Sequence, residues 1–446
     1  MLPERAAPAL VRTISLTGAV ALVVGGVVGA GIFVLVRDIA AKAGGAIWLA
    51  FLLAMLISLA GVVPLIQLAG VLPRAGGGYY FAARLLHPFA GVLTSYWILL
   101  GGCSSTAVVA LTLALYLQEV LPGVPPHAAG LGLLALFYAV YCFGVRLAIS
   151  LQVILSAQFV AALLIYGLGG LWHAAPAVTL WPPAGPAAFG EAVLLCYSTC
   201  MGFQVIAEMG EEIRDAPRNI PRALLLGGGV VAAIYILVGV VFVSAAPPDA
   251  TGLASMRTPL NDSGALFLPT WLLPFLSLGA VTAALTSLNA AAIALPREIF
   301  AQARDGFLPP ALAKITPRTH SPQRAVTLFF LGVAVLLACG KDPDFYGYLA
   351  AIGILGVTAV ISLGALALHR NHRPLYDAAY IRFPYALLLS CSLGTVLVCA
   401  ALAAIMSVQR PAVVVVYALW TLLLAGVYPL RLRAVSPETR ARMRTL

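Results

Sequence analysis

The stretch Gly25-Gly26-Val27-Val28-Gly29-Ala30-Gly31-Ile32-Phe33 decides how the rest of this sequence is interpreted. It lies in an apolar run from about Ile14 to Val36, which is long enough to cross a bilayer as a helix. Four of its nine residues are glycine, and glycine costs a helix interior about 1 kcal/mol relative to alanine. Because backbone groups opened in lipid need polar partners, the cluster predicts a broken helix at mid-membrane. Close packing of small residues is the alternative that this stretch alone leaves open.

The composition indicates a protein that crosses a membrane many times. The chain has 446 residues, of which 62% are hydrophobic and 9% are charged, whereas soluble proteins carry about 25% charged residues. No group of cysteines has the spacing of a transition-metal site, and the acids and histidines lie near predicted helix ends. A polytopic membrane enzyme is therefore disfavoured. The net charge of +10 is explained by basic residues in the loops on one side of the membrane, so it does not indicate a nucleic acid partner.

Apolar runs bounded by charged residues, proline or glycine predict twelve membrane spans, and the first is interpreted as a retained helix rather than a signal peptide. The spans lie near 14–36, 45–71, 89–118, 128–144, 149–171, 189–209, 223–245, 268–300, 324–339, 346–368, 383–407 and 411–430. Placing the N-terminus in the cytoplasm leaves Arg37, Lys42, Arg257, Lys341 and Arg410 outside and the other 21 of the 26 basic residues inside. This asymmetry predicts a multi-pass protein of the plasma (inner) membrane with both termini cytoplasmic.

The sixth span contains a second candidate break, Tyr197-Ser198-Thr199-Cys200-Met201-Gly202-Phe203-Gln204. Span six corresponds to span one if the chain holds two five-helix halves, of which the second is inverted in the membrane. Irregular stretches at equivalent positions of two halves indicate a transporter's midplane site. We therefore predict a single transmembrane domain over 1–446, with a first repeat near 14–171, a second near 189–368 and two further helices within 383–430.

Two such breaks would suit a small zwitterion. The helix half that begins near Ala30 presents unpaired N–H groups and the positive end of a helix dipole, which favour a carboxylate. The half that ends near Val27 and Val28, together with the sixth span near Ser198 and Met201, presents carbonyl groups that can receive an ammonium. A molecule of about the size of an α-amino acid satisfies both sets without any charged side chain.

Several short motifs in this order resemble the amino acid–polyamine–organocation (APC) superfamily of amino acid permeases. They are Gly29-Ala30-Gly31-Ile32-Phe33, Pro73-Arg74-Ala75-Gly76-Gly77-Gly78-Tyr79, Gly202-Phe203 followed by Glu211-Glu212, Asn219-Ile220-Pro221-Arg222-Ala223, and Arg304-Asp305-Gly306-Phe307-Leu308-Pro309. The resemblance implies an all-α, LeuT-type fold of about twelve helices, in which a 5+5 inverted repeat is followed by two extra helices and helices 1 and 6 are discontinuous. It also implies secondary active transport of α-amino acids by alternating access.

Carried over residue by residue, the resemblance implies a substrate site made mainly of backbone. The N–H groups of Ala30 and Gly31 would bind the carboxylate, and the carbonyls of Val27, Ser198 and Met201 would receive the amine. The remainder of the site would involve Gly29, Cys200, Gly202 and parts of spans three and eight.

The sixth span departs from the family pattern at its gate. Many members place an aromatic residue where this chain has Ser198, with Tyr197 beside it. This departure predicts a roomier pocket, or gating by Tyr197 or by another helix. Gln204 stands where arginine exchangers place an acid, which favours neutral substrates. A polyamine or organic-cation carrier is the alternative, and it would require acids that line the pocket.

The coupling ion is left open between sodium, protons and uncoupled exchange. In sodium-coupled members of the fold, a Thr-Ser pair equivalent to Thr286 and Ser287 supplies two oxygens, which the carbonyls of Gly25, Val28 and Ala283 would complete. The alternative is that these hydroxyls bond back to their own helix.

Some members of the family resembled here place a lysine in span five whose ammonium replaces the sodium ion. The aligned position in this chain is Phe159, so proton coupling through such a lysine is excluded. Glu208 is an intramembrane acid that could carry a proton. Its closeness to Glu211-Glu212 instead favours a solvated or salt-bridged role. No cofactor other than a coupled Na⁺ or H⁺ is expected. The expected partners are the substrate and membrane lipid, and the sequence does not specify an oligomeric state.

Overall fold

The computed structural model describes residues 10–120, 123–173, 178–182, 184–245, 252–253, 256–434 and 437. These ranges contain helices, turns and isolated bridges but no β-strand. The α-helices are α1 (Leu16–Val28), α2 (Gly31–Ala43), α3 (Ile47–Val71), α4 (Gly77–Leu85), α5 (Pro88–Val120), α6 (Pro126–Cys142), α7 (Val145–His173), α8 (Gly185–Thr199), α9 (Ala216–Ala245), α10 (Pro259–Gly264), α11 (Leu273–Ala294), α12 (Pro296–Arg304), α13 (Gln323–Ala338), α14 (Pro343–Asn371), α15 (Arg373–Asp377), α16 (Tyr385–Gln409) and α17 (Pro411–Ala434). Short 3₁₀ turns cover Gly44–Ala46, Phe203–Glu208, Thr270–Leu272 and Pro310–Ala313.

The described part of the chain contains nine helical stretches that are long and apolar enough to cross a membrane. One of them, Gly31–Val71, joins α2 and α3 through a 3₁₀ turn, and α1, α6 and α13 are shorter apolar helices. A multi-pass helical membrane protein is thus confirmed. Helices α16 and α17 leave most of their side chains outside the packed interior, which places them at the periphery.

The first membrane helix extends further than the sequence predicted. Its second half runs to Ala43, beyond the predicted end at position 36. The prediction stopped at the charged residues, but these have partners in the fold. Arg37 lies 3.5 Å from Asp38, and Lys42 pairs with Glu191. Paired charges at a membrane edge do not end a helix.

The predicted break in the first membrane helix is present. Helix α1 ends at Val28 and α2 begins at Gly31. Between them Gly29 adopts φ +47°, a conformation that residues with a Cβ rarely take. The two helical halves are therefore separated by a two-residue opening in the centre of the fold, where α1 packs against α7, α9 and α11.

The sixth membrane segment is also interrupted, and it continues differently from the prediction. Helix α8 ends at Thr199, and after a short non-helical stretch the chain resumes as a 3₁₀ turn, Phe203–Glu208, rather than as an α-helix. The turn ends where Gly76 N–H donates to the carbonyl of Glu208 at 3.2 Å. This backbone pairing holds the end of the sixth segment against the loop before α4.

Candidate functional site

The two helix breaks lie directly against each other. A Cβ placed on Gly202 would fall inside contact distance of the carbonyl oxygen of Gly26 and 2.9 Å from its carbonyl carbon. Gly202 also adopts φ +123°, which L side chains rarely permit. Glycine at this position therefore allows the backbones of the two broken helices to meet.

A cavity of about 360 Å³ opens beside this contact. Its volume lies in the usual range of small-molecule pockets, about 300–1,000 Å³. Helices α5, α11 and α14 supply small and apolar residues to the wall, and among the described residues no charged side chain and no aromatic ring lines it. The sequence-predicted residues at the wall are Gly29, Ala30, Ser198, Met201, Gly202, Gln204 and Ser287.

Backbone groups that face this cavity are left free by the breaks. Within the described ranges no hydrogen bond is recorded from the N–H groups of Gly29 and Ala30, nor to the carbonyls of Ser198 and Met201. The first two N–H groups of α2, those of Gly31 and Ile32, have no acceptor recorded within the described ranges either, whereas Phe33 N–H donates to the carbonyl of Ala30 at 3.1 Å. The cavity thus meets donors from the first break and acceptors from the second.

The freed carbonyls behind the breaks are capped by two side chains that the sequence did not single out. The hydroxyl of Tyr235 on α9 lies 3.1 Å from the carbonyl of Val28 and 3.0 Å from that of Thr199, and it can donate to either. Ser58 donates to the carbonyl of Cys200 at 2.7 Å. These contacts hold the carbonyls of Val28, Thr199 and Cys200 at the back of the site.

Replacing Tyr235 by phenylalanine is expected to destabilise the fold by about 1–3 kcal/mol, since among the described residues its hydroxyl is the one side-chain donor to these two buried carbonyls. Thermal unfolding of the purified protein measures this loss. The matched control is Tyr348→Phe, which removes an exposed hydrogen bond to Gln409. Equal unfolding temperatures for the two variants would show that the Tyr235 hydroxyl does not stabilise the breaks.

Of the predicted substrate residues, Val27, Gly31 and Cys200 do not line the central cavity, and neither does the proposed gate residue Tyr197. The side chains of Cys200 and Tyr197 are buried and face a separate space of about 20 Å³ next to Ser58, which has room for about one water molecule. Cys200 is therefore not at the wall of the larger cavity in this structure. Its position at the end of α8 turns its side chain away from the cavity.

Gln204 lies at the boundary between the two spaces and borders both. Its amide nitrogen donates to the hydroxyl of Thr358 on α14 at 2.6 Å. The sixth segment is thus joined to α14 through a neutral side chain.

Four of the five oxygens predicted to bind sodium form a connected cluster. The hydroxyl of Ser287 donates to the carbonyl of Gly25 at 3.1 Å and lies 3.4 Å from that of Ala283. The Thr286 hydroxyl donates to the Ala283 carbonyl at 2.8 Å. The fifth oxygen, the carbonyl of Val28, accepts the Tyr235 hydroxyl. Oxygen donors of this kind suit a hard cation, although both hydroxyls are also satisfied by backbone carbonyls.

The expectation that Glu208 is solvated or salt-bridged is wrong. The residue is fully buried, and none of the ion pairs formed by the described residues includes it. The 3₁₀ turn places its carboxyl group beneath the N-terminus of α4, where Gly78 N–H donates to it at 3.2 Å. Glu208 does not line the cavity.

A network of backbone bonds and ion pairs closes the face of the molecule that carries Arg74, Arg214 and Arg304, here called the basic face. Ile14 N–H donates to the carbonyl of Glu212 at 3.0 Å. The guanidinium of Arg297 on α12 binds both carboxylate oxygens of Glu212 at 2.8 and 3.1 Å, and both side chains are buried. These contacts tie the segment before α1 to the loop after the sixth segment and to α12.

Comparison with known proteins places these features in a family. A family model described as amino acid permease matches residues 14–428. An uncharacterized transporter of Mycobacterium tuberculosis is 32% identical over 366 residues, which cover 80% of each chain. The human large neutral amino acids transporter small subunit 2 is 27% identical over 374 residues, 78% of this chain and 69% of the relative. The vacuolar cationic amino acid transporter 4 of Arabidopsis thaliana is 26% identical over 393 residues, 80% of this chain and 63% of the relative.

Proposed function

Since this chain belongs to the amino acid permease family, we propose that it carries neutral α-amino acids across a membrane by alternating access. The family and the relatives compared are transporters, not enzymes. The proposal is carried by one observation: two facing helix breaks present unpaired N–H and carbonyl groups to a cavity whose described wall has no charged side chain.

In this proposal the substrate's charges are held by the backbone. The N–H groups of Ala30 and Gly31 bind the carboxylate, at the positive end of α2. The carbonyls of Val27, Ser198 and Met201 receive the ammonium. The cavity beyond them accepts an uncharged side chain.

The proposed preference for neutral substrates rests on the wall of the cavity. The relatives include one named for large neutral amino acids and one named for cationic amino acids. A cationic side chain would require an acid in the cavity, but the described wall offers Gln204, whose amide is bound to Thr358. The uncompensated cost of burying a second positive charge would reject such a substrate.

The proposal includes a LeuT-type arrangement of about twelve helices. The two breaks lie in the first and sixth segments, which would be equivalent positions if the chain holds two five-helix repeats near 14–171 and 189–368. Helices α16 and α17 are then the two helices that follow the repeats. The basic face is proposed to be cytoplasmic, with both termini on that side of the plasma membrane.

We also propose sodium as the coupling ion, bound by the carbonyls of Gly25 and Ala283 and the hydroxyls of Thr286 and Ser287, whose oxygens already form one connected cluster. The carbonyl of Val28 joins them if Tyr235 donates to Thr199 instead. Movement of the first break then changes the number of ligands, so ion and substrate binding become linked.

Ser287→Ala is expected to raise the sodium concentration needed for half-maximal uptake by about tenfold, because one oxygen ligand is lost. The measurement is initial uptake by proteoliposomes over a sodium series with choline as replacement. Ser390→Ala is the matched control, since that serine only bonds its own helix at Ala386. An unchanged sodium response in Ser287→Ala would remove the cluster from the coupling mechanism.

The function itself is tested with a panel of radiolabelled amino acids and purified protein in proteoliposomes. Sodium and proton gradients are imposed separately. We expect uptake of at least one neutral α-amino acid above that of empty vesicles, and no such uptake of cationic amino acids or polyamines. Uptake of polyamines alone would overturn the proposal.

A further inference from the structure

A pair of acids is buried outside the cavity. Glu208 in the sixth segment and Glu298 on α12 are both fully buried. They meet at the N-terminus of α4, where Gly78 N–H donates to Glu208 at 3.2 Å and Tyr79 N–H donates to Glu298 at 3.0 Å. Each N–H reaches one oxygen, Oε1, of its carboxyl group.

The other oxygen of each carboxyl group has no partner. Glu208 Oε2 and Glu298 Oε2 are both buried, and neither has a hydrogen-bond partner among the described residues. The two carboxyl groups approach the same point of α4, because a Cβ placed on Gly78 would lie 2.8 Å from Glu298 Oε1 and 3.4 Å from Glu208 Oε1. A buried acceptor without a donor costs about 1–3 kcal/mol, so a ligand that brings one donor suits this site.

The cations around the pair are already engaged elsewhere. Arg297, next to Glu298 in the chain, binds Glu212. Arg304 on α12 binds Glu211, which lies in the loop after the sixth segment, at 2.7 Å. No ion pair within the described ranges includes Glu208 or Glu298. Two ionised carboxylates here would repel each other in a site of low polarity without a cation to offset them.

The nearby titratable side chains on α4 donate their hydrogen bonds to other residues and not to Glu208 or Glu298. On α4 the hydroxyl of Tyr79 donates to Asp305 at 2.9 Å, and Arg84 binds the same carboxylate at 2.7 Å. Burial and the Asp305 carboxylate raise the pKa of Tyr79, so its hydroxyl stays neutral. Helix α5 contacts α12 through Ser95, which accepts from Gln302 and does not titrate.

We propose that Glu208 and Glu298 form a proton-binding site within the closed basic face, distinct from the substrate cavity and the oxygen cluster. One proton lies between the two carboxyl groups in this conformation. The pair joins the sixth segment, α4 and α12. When the basic face opens and the sixth segment moves away from α12, the two carboxyl groups separate and the proton is released. The proposal rests on the transport function only for this last step.

The uptake test compares the wild type with Glu208→Gln, Glu298→Gln and the control Glu191→Gln, whose carboxylate is exposed beside Lys42. Glutamine keeps the shape and supplies a permanent N–H donor, as the protonated acid does. With equal pH on both sides, wild-type uptake is expected to fall by about tenfold between about pH 6 and about pH 9. The two pair variants should lose this fall, while Glu191→Gln keeps it. A wild-type profile without this fall, or parallel profiles for all four proteins, would overturn the proposal.

A second test needs no transport and so separates this inference from the proposed function. Thermal unfolding of the purified proteins is followed without substrate over the same pH range. A folded state that holds a proton which the unfolded chain releases loses stability as the pH rises. We expect the wild type and Glu191→Gln to lose several degrees more than Glu298→Gln and Glu208→Gln. Identical pH dependence in all four would exclude a shared proton even if amino acid uptake is intact.

Discussion

Alanine at position 202 is expected to abolish amino acid uptake, with a loss of about a hundredfold or more. The new Cβ would lie inside contact distance of the Gly26 carbonyl oxygen, a backbone atom that cannot move aside as a flexible side chain can. Strain from φ +123° adds about 1–3 kcal/mol. The two breaks would be forced apart, and the donors and acceptors would no longer face one substrate.

Uptake and substrate binding by Gly202→Ala are measured beside Gly190→Ala. Gly190 lies on α8 in the same membrane segment, and a Cβ there meets nothing within 4 Å. The control should fold and transport normally, because alanine stabilises a helix more than glycine does. Size-exclusion chromatography identifies the folded fraction of each variant. Normal uptake by folded Gly202→Ala would mean that the close approach of the two breaks is dispensable.

Glu212→Gln is expected to destabilise the protein by about 3–5 kcal/mol. The change leaves the guanidinium of Arg297 buried without a counter-charge, and the cost of that burial exceeds the energy of an ordinary surface ion pair. The segment before α1 also loses a rigid partner, because the backbone of Glu212 holds Ile14. Thermal unfolding should show a large drop for this variant.

Two comparisons separate this effect from simple loss of a contact. Asp377→Asn breaks the exposed pairs with Arg373 and Arg382 and should change stability by about 0.5 kcal/mol or less. The double variant Glu212→Leu with Arg297→Met removes both charges and should be more stable than Glu212→Gln alone. If Glu212→Gln loses no more stability than Asp377→Asn, water or another group must reach Arg297.

The helices and the first break could be predicted because they depend on local sequence. Apolar runs locate the membrane helices, and the glycines between Gly25 and Gly31 locate the interruption. The end of the first membrane helix was misplaced because Lys42 is satisfied by Glu191, which lies far away in the chain. Pairing of this kind is decided by tertiary structure and not by composition.

The parts of the site that the sequence missed depend on contacts between distant segments. Tyr235 lies in an apolar run, and nothing in its neighbours indicates that its hydroxyl caps two broken helices. Glu208 appeared solvated because charged residues follow it, yet the 3₁₀ turn buries it against Glu298. Tyr235 lies on a regular helix but contacts the broken ends of two others, and Glu208 lies within a 3₁₀ turn, so both roles depend on backbone irregularities that have weak sequence signals.

The role of the freed backbone groups is tested by competition between a transported amino acid and its truncated analogues. For leucine, the analogues are leucine methyl ester, which has no carboxylate, and 4-methylpentanoate, which has no ammonium. Unlabelled leucine should inhibit radiolabelled leucine uptake fully, and each analogue should be at least about a hundredfold weaker, because each leaves buried donors or acceptors at one break unpaired. Inhibition by either analogue at the same concentration as leucine would contradict the account.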